Sequence, residues 1–342
     1  MGLPMPPKNT VLMNHTDMLG HHFGCARVMR MIEDGLTSRG CRIIGRIDGK
    51  EDWRSSPRAL AMLEHCDLIV INGEGTLHHG RRKATWLMET GAHQVTRDKE
   101  LALVNALYQE NPPDWAVLLQ RFRHLYARDS RSAAAMSDHA GRQVAWMGDL
   151  STSAGPIADT QDRSGILVGD SVRNSATAAL AHLANTLNRS EPTRILPLTA
   201  SLREDNPYRP RLARMLRSWS VNIRQRLQEN RLPLLRYLTC EEEYVDAVRA
   251  CRLSITGRFH GVCLNLVTGT PFISVTSNSW KIETLFQDVG LDSRRIVPQE
   301  KLSVDLVLGT DWSFSSTERA NISTFLAETQ RAAAAMFDAL AA

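Results

Sequence analysis

The feature that most constrains this chain is an alternation. Short apolar runs that break at glycine or polar residues, among them "TVLMN" (Thr10 to Asn14), "CRIIGRID", "DLIVINGEGTLHHG", "GILVGDSVRN" and "FISV", are separated by stretches such as "GCARVMRMIEDGLTSRG" and "ATAALAHLANTLN". In the latter, apolar positions recur at helical spacing. Strands that are apolar throughout are buried on both faces, and strands that alternate with helices pair in parallel. The expected class is therefore α/β with parallel sheets.

A chain of 342 residues exceeds one ordinary core and fits two domains. The alternation restarts after the polar stretch "TSAGPIADTQDRSG", which reads as a linker. The expected division is an N-terminal Rossmann-like domain over 1–155 and a C-terminal one over 156–315. A final helix over 316–342 begins at Ser316 or Thr317 with Glu318 near its N-terminus. Its apolar face is expected to pack on a domain, the first being the candidate. A long arginine-rich helical region reaches about Gln228. Open parallel sheets take ligands at the carboxyl ends of their strands, so the loops that follow strands are the ones to search.

Composition removes several classes of function. Hydrophobic residues make up 43% and charged residues 23%, and no apolar run reaches the roughly 20 residues of a membrane helix. No secretory leader is recognisable, so a cytoplasmic protein is expected. Six scattered cysteines without a C-x-x-C pair argue for reduced thiols rather than a zinc cage. The net charge is +4 and only six of the 41 basic residues are lysine, without a basic block or interleaved aromatics, so no nucleic-acid partner is expected. G-x-S-x-G, H-E-x-x-H and G-x-x-x-x-G-K-[ST] are absent from the sequence, which removes the main support for serine hydrolase, zincin and P-loop readings.

The most informative loop is "ITGRFHGVCLNLVTGTP" (Ile255 to Pro271). Val262, Leu264, Leu266 and Val267 fit one buried helix that Gly269 and Pro271 end, which puts Arg258 and His260 where a strand passes into a helix N-terminus. Free backbone N–H groups, a positive dipole end and a planar guanidinium together suit a carboxylate or phosphate. The competing role for the pair is a local cap or salt bridge.

The segment "SITGRFHGVCLNLVTGTPFISVTSNSWKIETLFQDVGL" resembles the most diagnostic part of the polysaccharide pyruvyl transferase family: an R-[FL]-H-[GA] element, a helix, a G-x-P-x-I strand and a following lysine. "CDLIVINGEGTLHHG" is similar to the family's D-L-V-I-x-G-G-G strand and loop, and "LYARDSRSAAAM" to its V-R-D-x-x-S segment. The resemblance implies two Rossmann-like domains in a GT-B-type arrangement with the active-site cleft between them. It also implies phosphoenolpyruvate as donor and a sugar hydroxyl pair as acceptor. Such a reaction needs a proton for the enol carbon, stabilisation of an oxocarbenium-like centre, removal of hydroxyl protons and a hold on a triply charged donor.

On that basis Arg258 matches the motif arginine, and Arg173 in "ILVGDSVRNS" matches a second family arginine. His260 is the candidate proton donor or phosphate partner. Lys281 matches the family lysine and stands close to Glu283; both are assigned to substrate binding. In "NGEGTLHHG", Glu74 replaces the middle of a glycine triplet; Glu74, Gly73 and Gly75 are candidates for acceptor binding, with Glu74 also a candidate base. "HTDMLGHHFGCARVM" occupies the place of the family's N-x-G-D loop but lacks its acid, which leaves no family role to carry over.

Two histidine pairs, His21 with His22 and His78 with His79, follow strands of the first domain. Four imidazoles have the chemistry of a divalent-metal site. Adjacent histidines rarely ligate one ion together, so His21 and His78 are assigned to sugar hydroxyls, and no metal or cofactor is expected. The resulting expectation is a pyruvyl transferase acting on a saccharide or lipid-linked oligosaccharide of a bacterial surface polysaccharide or glycoconjugate, with at most peripheral membrane contact. The alternatives are a glycosyltransferase with a nucleotide-sugar donor and a non-catalytic carbohydrate-binding relative.

Overall fold

A computed structural model describes residues 7–18, 22–158, 162–199, 211–276 and 280–342, organised as two compact units. The first comprises the residues up to Thr16, Val28–Ser153 and Glu328–Ala342; the second comprises Asp17–Arg27 and Ala154–Ala327.

In the first unit, β1 (Asn9–His15), β2 (Arg42–Asp48), β3 (Leu68–Glu74), β4 (Glu100–Ala106), β5 (His124–Ala127) and β6 (Ala145–Trp146) form a parallel sheet in the order β2-β1-β3-β4-β5-β6. The helical segments between them are α1 (Phe23–Thr37), α2 (Pro57–Glu64), α3 (Arg82–Met88), α4 (Trp115–Leu119) and α5 (Ser130–Ala140). Alternate residues feed two cores: Val11, Ile69 and Leu101 on one face, Leu12, Val70 and Ala102 on the other. Burial on both faces is why these strands are apolar throughout rather than alternating.

In the second unit, β7 (Ile166–Ser171), β8 (Thr193–Ile195), β9 (Leu253–Gly257), β10 (Phe272–Val275) and β11 (Ile296–Val297) are parallel in the order β11-β10-β9-β7-β8. Its helices are α6 (Asn174–Leu187), α7 (Arg211–Arg231), α8 (Glu241–Ala250), α9 (Phe259–Thr268), α10 (Lys281–Val289), α11 (Val304–Gly309) and the start of α12 (Ser316–Ala341). All ten residues of α9 are buried.

The two sheets share one logic. In each, the first strand has the second on one side and the third on the other, so the connection reverses between β1 and β3 and between β7 and β9. Such a switch point opens a crevice at the carboxyl ends of its strands. Those ends are irregular: register shifts fall between Leu12 and His15 in β1 and between Val168 and Ser171 in β7. Asn14 (φ 55°) and Glu74 (φ 36°) sit in the left-handed region at the ends of β1 and β3, a conformation that side chains other than glycine adopt at a cost of order 1–3 kcal/mol.

The units differ from the sequence-based division in two places. Residues 17–27, ahead of and opening α1, group with the second unit. The reason is local: Phe23 joins a core with Tyr244 and Leu264, and Arg27 makes a buried 2.7 Å ion pair with Glu241 in the first turn of α8. The long C-terminal helix is shared. Ile322, Phe325 and Leu326 belong to a core of the second unit, whereas Ala333, Met336, Phe337 and Leu340 belong to one of the first. Its start is a capping box: Glu318 N donates to Ser315 Oγ at 3.1 Å and Ser315 N donates back to Glu318 Oε2 at 2.9 Å.

Candidate functional site

Three consecutive neighbours in the second sheet, β7, β9 and β10, each lead into a helix whose N-terminus carries a cation. Arg173 is the N-cap residue of α6, Arg258 that of α9, and Lys281 is the first residue of α10. Ser171 at the end of β7 pairs in register with Gly257 at the end of β9, so Arg173 and Arg258 leave adjacent strand ends at the switch point. Gly257 permits that approach, because a Cβ there would lie 2.5 Å from the Ser171 Cβ. None of the three cations caps its helix with a side-chain hydrogen bond, so the N-terminal N–H groups and their dipoles keep the same sign as the side chains.

Arg258 is held by Asp170, near the end of β7. Its Nε and Nη2 donate to Asp170 Oδ2 at 2.9 and 2.5 Å, and Asp170 Oδ1 accepts from Leu198 N at 2.9 Å. The anion contact and the salt bridge posed as competing roles for Arg258 are therefore compatible: Asp170 occupies one edge of the guanidinium, and the Nη1 edge lies outside the pair. The Arg258 side chain remains 22% exposed, whereas His260 is 5% exposed.

His260 lies in the first turn of α9, and two glycines allow its position. A Cβ on Gly261 would lie 2.3 Å from Thr256 Oγ1, so the fourth residue of R-F-H-G must be glycine for α9 to start this close to β9. A Cβ on Gly24 would lie 2.2 Å from the His260 Cβ, so the first turn of α1 also depends on glycine. That turn brings His22 to the site: the His22 and His260 rings meet edge-on with centroids 5.1 Å apart.

His22 caps α1, its Nδ1 accepting from Cys25 N at 3.3 Å, which leaves the proton of the neutral ring on Nε2. Burial, and after it the positive charges of His260, Arg258 and Lys281, hold this imidazole well below the ordinary value of 6.5. His22, Cys25 and His260 also present ligand atoms within 4.8 Å of one another, close enough to hold a metal ion. The surrounding arginine, lysine and helix N-termini favour an anion over a dication at the same place.

The remaining assigned residues fall as follows. Arg173 is exposed, and its backbone N–H donates to Ser171 Oγ at 3.3 Å. Lys281 and Glu283 are half-buried in the first turn of α10. His21 lies outside the described residues, and His22 groups with the second unit rather than with His78 and His79, which adjoin each other at 5.1 Å in the first.

In the first unit, Glu74 is buried at the end of β3 and accepts from Thr16 Oγ1 at 2.7 Å and Asn72 Nδ2 at 3.0 Å. Thr16 directly follows β1, so this bond spans the switch point of the first sheet as Arg258 and Asp170 span that of the second. The two glycines flanking Glu74 differ. A Cβ on Gly73 would meet Ala106 Cβ at 2.5 Å, which makes this glycine a packing requirement, whereas a Cβ on Gly75 would face open space. The R-D-x-x-S segment is also architectural: Asp129 caps α5 by accepting from Ser132 N at 2.7 Å, and Arg128 is buried against Asp149 at 3.3 Å.

The reading of the sequence missed Asp170, His22 and Thr16 as site residues. Asp170 had a signal, an acid inside an otherwise apolar strand. His22 and Thr16 become legible only through topology.

Two parallel sheets of this kind, each open at its own switch point, define a protein with two Rossmann-like units. UDP-GlcNAc 2-epimerase from Neisseria meningitidis, solved bound to UDP-GlcNAc, shares the fold with TM-score 0.50 and 10% identity over 95% of this chain and 99% of that one. The Methanocaldococcus jannaschii UDP-GlcNAc 2-epimerase, solved with UDP-GlcNAc and UDP, has TM-score 0.50 and 9% identity over 93% and 98%. No curated protein matches the chain significantly. The family model for polysaccharide pyruvyl transferase matches residues 106–279, half of the chain, and the chain belongs to that family. The matched span contains Asp170, Arg173, Arg258 and His260; Glu74 precedes it and Lys281 follows it.

Proposed function

We propose that this protein transfers the pyruvyl group of phosphoenolpyruvate to two hydroxyls of a saccharide, forming a ketal. The observation that carries the reading is the set of three cation-bearing helix N-termini, Arg173, Arg258 and Lys281, leaving neighbouring strands, with Arg258 and Lys281 close enough to act on His22, whose ring meets that of His260. A donor with a carboxylate and a phosphate on adjacent atoms needs several cations and N–H donors in one place.

In the proposed reaction the donor's C3 gains a proton and C2 forms bonds to two sugar oxygens while its bond to the phosphate oxygen breaks. Of the two hydroxyl protons released, the balance leaves one on the new methyl group and one on phosphate. His260 supplies the proton to C3. Neutral His22 offers its Nε2 proton to a phosphate oxygen, and Arg258, oriented by Asp170, holds the carboxylate. Glu74, buried beside Thr16 and Asn72, is assigned to the saccharide.

Incubation with isotopically labelled phosphoenolpyruvate and a panel of saccharides tests this reading. Release of inorganic phosphate together with an acid-labile labelled product supports it. Stabilisation by a nucleoside diphosphate but not by phosphoenolpyruvate, with glycosyl transfer in place of ketal formation, refutes it in favour of a nucleotide-sugar donor.

A further inference from the structure

Helix α7 (Arg211–Arg231) shows no core-facing side among its described side chains. None of its described side chains is buried, and Leu212, Met215, Leu216, Trp219, Ile223 and Leu227 are all exposed, Trp219 at 66% and Met215 at 68%. At about 100° per residue these six positions fall within an arc of roughly 120°, an apolar stripe along about four turns of helix that only Arg226, near its C-terminal end, interrupts among the described residues. A stripe of this width normally faces a core.

The polar part of the helix is strongly basic. Its 21 residues carry six arginines against one acid, Glu229, in a chain whose net charge is only +4. Arg211, Arg224 and Arg231 are exposed on the flanks of the stripe. The C-terminal end is anchored: Gln228 Oε1 accepts from Tyr237 Oη at 2.7 Å, and Glu229 Oε1 accepts from Tyr237 N at 2.8 Å. An exposed apolar stripe with a central tryptophan and flanking arginines is the composition of a helix that lies in the plane of a membrane interface. Among the described residues no helix is long and apolar enough to cross a membrane.

We propose that α7 is an interfacial anchor that seats this protein on an anionic lipid surface, with the stripe immersed among the acyl chains and the arginines at the headgroups. The charge selects this occupant over a second copy of the chain, because two such helices packed face to face would bring like charges together on both flanks. It also selects it over nucleic acid, whose phosphates would leave the apolar stripe uncovered. The inference stands on α7 alone and does not depend on the pyruvyl-transfer reading.

Co-sedimentation of the full-length protein with vesicles tests it. On phosphatidylcholine vesicles containing phosphatidylglycerol, binding should be at least about tenfold stronger than on pure phosphatidylcholine, and it should weaken as salt rises. Trp219→Glu and Leu216→Glu should each cut partitioning roughly tenfold with an unchanged melting temperature, since both positions are exposed. Absence of binding to the anionic vesicles, or binding that both variants retain, overturns the proposal. So does a dimer in solution that either variant dissolves, which would assign the stripe to a second copy.

Discussion

Arg258 donates two hydrogen bonds to one oxygen of Asp170, at 2.9 and 2.5 Å, and the pair joins the ends of the two strands between which the second sheet reverses its connection. The guanidinium is thereby fixed at the mouth of a helix N-terminus with one edge committed and the other available. An arginine positioned in this way is pre-organised for a planar anion, and its strand partner is as much part of the site as the arginine itself.

Replacing Asp170 with Asn keeps the shape and removes the charge that orients Arg258. The expected outcome is a rise in KM for phosphoenolpyruvate of roughly ten- to a hundredfold, the range for loss of a charge-assisted contact of about 1.5–3 kcal/mol. Steady-state kinetics check it. Arg258→Lys should not restore the wild-type value, because an ammonium cannot serve the carboxylate and the ligand through one plane.

Gly24 tests whether the start of α1 belongs to the site. A Cβ there would fall 2.2 Å from the His260 Cβ, so Gly24→Ala must push His260 or the helix aside. Overpacking of this kind costs about 1–3 kcal/mol of stability. Turnover should fall at least about tenfold at a temperature where the variant is still folded, as judged by circular dichroism, because the proposed proton donor, displaced by an ångström, loses its geometry.

Acid should unfold the protein through identifiable carboxylates. Burial works against the charged form of Glu318, but the Arg295 guanidinium at 2.8 Å outweighs it and holds the carboxyl down to about 2. Glu33 is likewise held down to about 2, burial being outweighed by Arg46 and His15. Both values lie below the ordinary 4.5, so their contribution to stability is complete above that pH and is lost as pH falls toward 2. The loss is on the order of 3 kcal/mol for the buried Glu318 pair and smaller for Glu33, whose partner Arg46 is screened by solvent. Denaturant titrations between pH 6 and about 2.5 should show it, and Glu318→Gln should flatten the profile.

Arg295 is fully buried, donating to Glu318, to the carbonyls of Phe272, Trp312 and Ser313, and lying 4.5 Å over the Phe314 ring. Arg295→Ala strands Glu318 without its main partner, and a loss of about 3–5 kcal/mol is expected in equilibrium unfolding.

The sheet class was legible because burial on both faces writes itself into a strand as a continuous apolar run, as in Leu68–Ile71 or Ile166–Val168. Arg258 and His260 were legible because a strand end, a helix start and a family motif coincide there. Asp170 and His22 were not, since each acquires its role from strand order and from segments distant in sequence; His22 reaches His260 across more than two hundred residues. Strand β5 was hidden inside "WAVLLQRFRHLYARDSRSAAAMSDHAG", where helices on both sides swamp four residues of extended chain. Gly73 stands in the loop motif assigned to the saccharide, and a contact that demands glycine there is with Ala106.

Calorimetric titration decides whether the second unit holds phosphoenolpyruvate through Arg258, as proposed. Phosphoenolpyruvate should bind the wild-type protein, and Arg258→Ala should weaken that binding roughly ten- to a hundredfold at a temperature where the variant, destabilised by the unpaired Asp170, is still folded as judged by circular dichroism. Failure of phosphoenolpyruvate to bind the wild type, or equal affinity in Arg258→Ala, would contradict the claim.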